Sequence, residues 1–171
     1  MKYNIWWGLE MKQINLTKNK IAIVDDEDFD YLSKWKWCYT NKGYAFRLQK
    51  RSETGSKKRK GVYLHRELMG NPSKQVDHIN GDTLDNRKAN LRLANHSENM
   101  RNRKLQKNNT SGFKGVWFNK KREKFIATIK INGQSRTIKS ANTAEEAAKA
   151  YDIKAKELYG SFARLNFNDQ V

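Results

Sequence analysis

Asp77 and His78 stand side by side, Asn90 follows thirteen residues after the aspartate, and Asn99 lies nine residues further on. These residue types define a chemistry before any fold is known. A carboxylate holds a divalent cation through hard oxygen, and a neighbouring imidazole takes a proton from water near neutral pH. Amide side chains orient such groups or complete an oxygen-rich shell around the ion. Between these residues, Asn80-Gly81-Asp82 and Asp85-Asn86 are turn formers. Gly81 reads as a position whose backbone angle a Cβ would resist.

The elements that must carry these residues follow from periodicity. A strand is expected to end at Asp77-His78-Ile79, with a loop through Asn80-Gly81-Asp82, a short strand Leu91-Arg92-Leu93 and a helix from about Asn95 to Lys104. Asp77 and His78 alternate on a strand and face opposite ways unless the strand ends there. Upstream, from Ile14 to about Leu64, the signals are mostly β. Ile21–Val24 and Gly43–Leu48 read as strands, and Val62-Tyr63-Leu64 as another. The acidic run Asp25–Asp28 starts a short helix expected to continue through Leu32, Trp35 and Trp37, its charges favouring the positive end of the helix dipole. Lys50 to Lys60 is a basic loop, either lying on phosphate or forming a solvated hairpin tip. His65–Gly70 is expected as a short helix closed by Pro72, with His65 in a structural role at the strand–helix junction.

Composition sets the partner. The 171 residues carry a net charge of +17 with a sequence pI near 10.0, so an anionic polymer is the default ligand. The single cysteine, Cys38, allows no intrachain disulfide and no four-cysteine zinc clamp; it is expected as a buried thiol in an intracellular chain. No apolar run approaches the roughly 20 residues that span a bilayer. Residues 1–10 read as an extension, with Met11 a natural start. The basic, polar run Arg101–Asn109, followed by Ser111-Gly112, is the best boundary between modules.

The C-terminal stretch gives three strands and a helix. Phe125, Ala127, Ile129 and Ile131 share one strand face, and Lys124, Thr128 and Lys130 the other. Thr143 and Glu146 make a capping box, and Ala144, Ala147, Ala148, Tyr151, Ala155 and Leu158 form the apolar helix face.

Two resemblances organise these readings. Val76–Asp82 with Asn90-Leu91-Arg92 and Asn99 resembles the HNH nuclease motif in the HNN variant found in phage and intron-encoded homing-type endonucleases. The resemblance implies a metal finger of two strands and a helix, in which Asp77 and Asn99 hold one metal ion and His78 is the general base. Asn90 would brace the loop and fix the imidazole. His96, about one turn before Asn99, is the alternative third ligand, and would favour softer metals. With Asn99 the site favours Mg²⁺ or Mn²⁺ over Zn²⁺. Arg66, Arg87 and Arg92 are candidate phosphate contacts, although Arg87 and Arg92 can equally pair with the nearby acids.

The second resemblance covers Ser111 to Phe167. Gly112–Val116, Lys124–Ile129, Ala144–Asp152 and Gly160–Phe167 are similar to an APETALA-two (ethylene-response-factor) DNA-binding domain. It implies that the open face of the sheet reads duplex DNA through Lys114, Trp117, Asn119, Arg122, Lys124 and Lys130. Trp117 and Asn119 stand where arginine is usual in plant members, so base specificity does not transfer.

The expected architecture is α+β. An extension (1–10) precedes a β-rich, DNA-contacting region (11–64), a nuclease finger of two strands, helix and metal with its linker (65–108), and a three-stranded antiparallel sheet packed on one helix (109–171). The expected function is site-specific, metal-dependent cleavage of double-stranded DNA by a monomer or a DNA-assembled dimer, in the cytoplasm of a bacterium or a phage's host. The rival is a non-catalytic DNA-binding factor with a residual nuclease fold.

Overall fold

A computed structural model describes residues 11–55 and 58–167; the expected extension at 1–10 lies outside them. The fold class is α+β, with several small antiparallel sheets and short helices. The chain divides into two units between Asn95 and His96.

In the first unit, β1 (Met11–Leu16) and β2 (Lys20–Asp25) form a hairpin in register Ile14↔Ala22. Alternation sends Ile14, Leu16, Ala22 and Val24 inward, where they meet Leu32, Trp37, Ala45, Val62 and Leu64. Fully burying side chains of the Val, Leu or Ile type contributes about 1.5–3 kcal/mol each, so this cluster carries the unit. Helix α1 (Asp26–Leu32) has Asp26, Glu27 and Asp28 in its first turn, as the acidic run predicts. It stops at Leu32 rather than running on through Trp35 and Trp37. The Trp37 indole donates to the Leu32 carbonyl at 2.9 Å and caps the last turn, while Trp35 stacks under the Arg47 guanidinium at 4.2 Å.

β3 (Cys38–Tyr39), β4 (Ala45–Leu48) and β5 (Gly61–Tyr63) form a three-stranded sheet in that order, with α2 (Arg51–Thr54) inside the basic loop. Cys38 is exposed, contrary to the expected buried thiol, because Trp37 takes the inward position and its neighbour on edge strand β3 must face out. α3 (Leu64–Leu68) follows, and then β6 (Gln75–His78) pairs with β7 (Leu91–Ala94) in register Asp77↔Arg92.

The second unit opens with α4 (His96–Arg101). β8 (Val116–Asn119), β9 (Lys124–Ile131) and β10 (Gln134–Ala141) make an antiparallel sheet covered on one face by α5 (Ala144–Tyr159). The Thr143 hydroxyl caps α5 by accepting from the Glu146 amide at 3.2 Å. Small residues on α5 (Ala147, Ala148 and Ala155, each 0% exposed) let the helix lie close to the sheet; Leu158, expected on the same face, is exposed. Gly115 has φ +77°, and a Cβ there would stand 2.1 Å from the Tyr151 ring, so the approach of strand to helix requires glycine. Among the described residues no helix is long and apolar enough to cross a membrane.

Candidate active site and nucleic-acid surface

β6 ends at His78, which resolves the alternation problem: Val76, Asp77 and His78 are all buried. Asp77 faces its register partner Arg92, whose Nε donates to Oδ2 at 2.9 Å while Nη2 lies 2.8 Å from the same oxygen. A buried carboxylate without a partner costs several kcal/mol, and this cross-strand guanidinium removes that cost.

The loop from Ile79 to Asn90 is held by its own amides. The Asn80 backbone N–H donates to Asn90 Oδ1 at 2.9 Å, and Asn90 Nδ2 donates to Asn80 Oδ1 at 3.0 Å and to the Asp85 carbonyl at 2.7 Å. Asn80 Nδ2 reaches Asp85 Oδ2 at 2.9 Å, and Gly81 turns the chain at φ +70°. Asn90 thus ties both ends of the loop together. Asp85 is gripped on both oxygens by Arg87, at 2.8 and 2.7 Å, which holds its carboxyl below the usual range. The loop is also bolted to the N-terminal hairpin: Ile23 N–H donates to the Leu84 carbonyl and Asn86 N–H to the Ile23 carbonyl, both at 2.8 Å, and Lys88 N–H donates to Asp25 Oδ2 at 2.7 Å.

Around the imidazole of His78 lie Asn86, His65 and Tyr44. His78 Nε2 is 3.3 Å from Asn86 Oδ1, the His65 ring packs edge-on with centroids 5.1 Å apart, and the Tyr44 ring is 6.1 Å away. Burial pushes the His78 pKa below the ordinary histidine value, opposed by Asn86 and the charges of Asp77, Asp82 and Asp85. His65 is driven down to about 3 by burial, then by His78 and Arg66, and its Nδ1 is buried without a hydrogen-bond partner.

The structure therefore brings Asp77, His78 and Asn90 together in the first unit, while Asn99 and His96 belong to α4 in the second. Among the described residues no three His, Cys, Asp or Glu side chains cluster as a metal site. Sequence reading missed Asn86 and Tyr44. Asn86 was legible only as a turn former; Tyr44 carried no motif at all.

The expected phosphate contacts divide by environment. Arg66 donates to the Lys74 carbonyl at 3.1 Å and to the Pro72 carbonyl, closing the turn after α3. Arg87 and Arg92 are the partners of Asp85 and Asp77. Lys114 is turned away from the expected DNA-facing role: its ammonium donates to the Arg101 carbonyl and, at 2.8 Å, to the Arg103 carbonyl, and burial pulls its pKa down to about 8. With the Arg101 guanidinium 4.5 Å over the Tyr159 ring, these contacts fasten the end of α4 within its unit.

The sheet's open face is another matter. Register places Trp117 beside Ile126 and Ile126 beside Ser140, a row of which Trp117 is 46% exposed. Arg122 and Lys130 are exposed, Lys124 is half-buried and reaches Asn142, and Asn119 Oδ1 accepts from the Lys121 and Arg122 amides at 3.0 and 3.1 Å, shaping the β8–β9 turn.

Comparison with known proteins agrees with this frame. Residues 70–101 match the family model described as HNH endonuclease. Protein 3.8 of Escherichia phage T7 is 40% identical over 90 residues, 53% of this chain and 74% of that protein. An HNH endonuclease of Acanthamoeba polyphaga mimivirus, L560, is 32% identical over 158 residues, 87% of this chain and 76% of that protein. No solved structure matches. The chain belongs to the HNH endonuclease family.

Proposed function

We propose that this chain is a homing-type HNH endonuclease of the HNN variant, hydrolysing phosphodiester bonds of double-stranded DNA with a single divalent ion, Mg²⁺ or Mn²⁺. The observation that carries the proposal is the buried Asp77-His78 pair at the end of β6, with the imidazole held by a neighbouring amide. His78 takes the proton from the attacking water as the oxygen–phosphorus bond forms and the bond to the 3′ oxygen breaks. Asp77 and Asn99 (alternatively His96) would hold the metal. When bound, it supplies Lewis-acid stabilisation of the charge that builds on the phosphoryl group and the leaving oxygen. Asn90 keeps the loop closed so that the imidazole and the carboxylate stay in place.

The C-terminal sheet, similar in sequence to an APETALA-two domain, would grip the duplex through Trp117, Asn119, Arg122, Lys124 and Lys130, with the net charge of +17 supplying affinity. A small nuclease finger has little surface for specificity, and a tethered reader raises its effective concentration at one site.

The test is a supercoiled plasmid library of fragments from the encoding genome, incubated with protein and Mg²⁺ or Mn²⁺ beside an EDTA control. The expected result is metal-dependent conversion of particular plasmids to open circles or linear DNA. Tight binding with no cleavage under any metal would favour the non-catalytic DNA-binding reading.

A further inference from the structure

We infer that Asn86 is the positioning residue that fixes the tautomer of His78, holding the proton on Nε2 and leaving the basic lone pair on Nδ1. The consequence for catalysis rests on the reading of His78 as the base.

One hydrogen-bond chain links β2, Asn86 and the imidazole. Asn86 is 1% exposed and its amide can be oriented in two ways. Its Nδ2 lies 3.0 Å from the Leu84 carbonyl. The flipped amide would set oxygen against oxygen there, with no proton between them. The Leu84 carbonyl also accepts from the Ile23 N–H at 2.8 Å, and the Asn86 N–H donates to the Ile23 carbonyl at 2.8 Å, so β2 fixes both the carbonyl and the asparagine backbone. Asn86 Oδ1 is therefore the atom turned toward His78, 3.3 Å from Nε2. An amide oxygen only accepts, so Nε2 must donate. In the neutral ring the remaining lone pair is then on Nδ1. His65 edge-on at 5.1 Å and Tyr44 at 6.1 Å confine the ring, so it cannot easily turn to exchange its nitrogens for carbons.

This gives the N-terminal hairpin a part in the chemistry. β2 orients Asn86, Asn86 orients the imidazole, and the nuclease loop alone would leave the choice of nitrogen open.

The test reads the tautomer directly. In the ¹⁵N-labelled full chain, long-range proton–nitrogen correlations at a pH where the ring is neutral distinguish the two forms. Of the chain's three histidines, His78 is assigned by the signal missing in His78→Gln. The expected result is an Nε2-protonated His78 in the wild type and in Asn86→Asp, which keeps an acceptor, and a mixture of tautomers in Asn86→Leu. In single-turnover DNA cleavage, Asn86→Leu should lose roughly 100-fold in rate, as for a misdirected general base, with DNA affinity within about twofold. Asn86→Asp should recover most of that rate. An Nδ1-protonated ring in the wild type would overturn the assignment, and so would an unchanged tautomer in Asn86→Leu. Should Asn86→Leu fail to fold, the wild type and Asn86→Asp spectra still decide. A wild type that cuts no DNA would sink the nuclease reading while leaving the tautomer result standing.

Discussion

His65 and His78 are two buried imidazoles in one aromatic pocket, and their surroundings separate their roles. His78 has an amide oxygen and nearby carboxylates to receive a proton; His65 has rings on its sides and an unpartnered Nδ1. The His65 pKa falls from an unfolded value of about 6.5 to about 3. Between those values the unfolded chain binds more protons than the folded one, so stability rises with pH there. The His65 contribution is intact above about 6.5 and erodes as pH falls toward 3. Wild type should therefore lose stability between pH 6 and 4 more steeply than His65→Asn, by up to about 1.4 kcal/mol per pH unit. Urea unfolding at several pH values measures this, and parallel curves would mean that His65 is not buried as a neutral ring. What was legible at this scale was identity: the resemblance of their types and spacing to the HNH motif singled out Asp77, His78, Asn90 and Asn99. Partnership was not. Whether Arg92 meets a phosphate or Asp77 depends on the strand register, and whether Asn86 is a turn former or the neighbour of His78 depends on a loop that closes only through β2.

At the scale of elements, most strands and helices fell where alternation and caps put them, including β6, β7, β9 and α5. Two departures, the early end of α1 and the exposure of Cys38, share one physical source, the competition between a local pattern and a distant partner. α1 ends early because Trp37 caps it from the core side, and Cys38 turns outward for the same reason. Gly115 shows the reverse case, a local requirement set by packing. Gly115→Ala would place a methyl group into the Tyr151 ring at a positive φ and should destabilise the second unit by about 3 kcal/mol. A urea midpoint equal to wild type would contradict the close approach of Gly115 to Tyr151.

For the whole molecule, charge is the dominant fact, and it was fully legible in composition. Its distribution was not, because several of the cations expected to meet DNA are engaged internally: Lys114 on the carbonyls that end α4, and Arg87 and Arg92 on aspartates. The salt dependence of DNA binding separates the two groups. Arg122→Gln or Lys130→Gln should each reduce the slope of log K against log salt by about 1, whereas Lys114→Gln should leave it nearly unchanged. Equal effects from all three would return Lys114 to the DNA-facing surface.

The most direct test of His78 as the general base is His78→Ala, measured for binding and for cutting on the same DNA. His78→Ala should keep wild-type affinity and lose most metal-dependent cleavage, at least about 100-fold, because the variant keeps the fold and the basic surfaces but has no general base. Cleavage by His78→Ala at the wild-type rate would remove His78 from the role of general base.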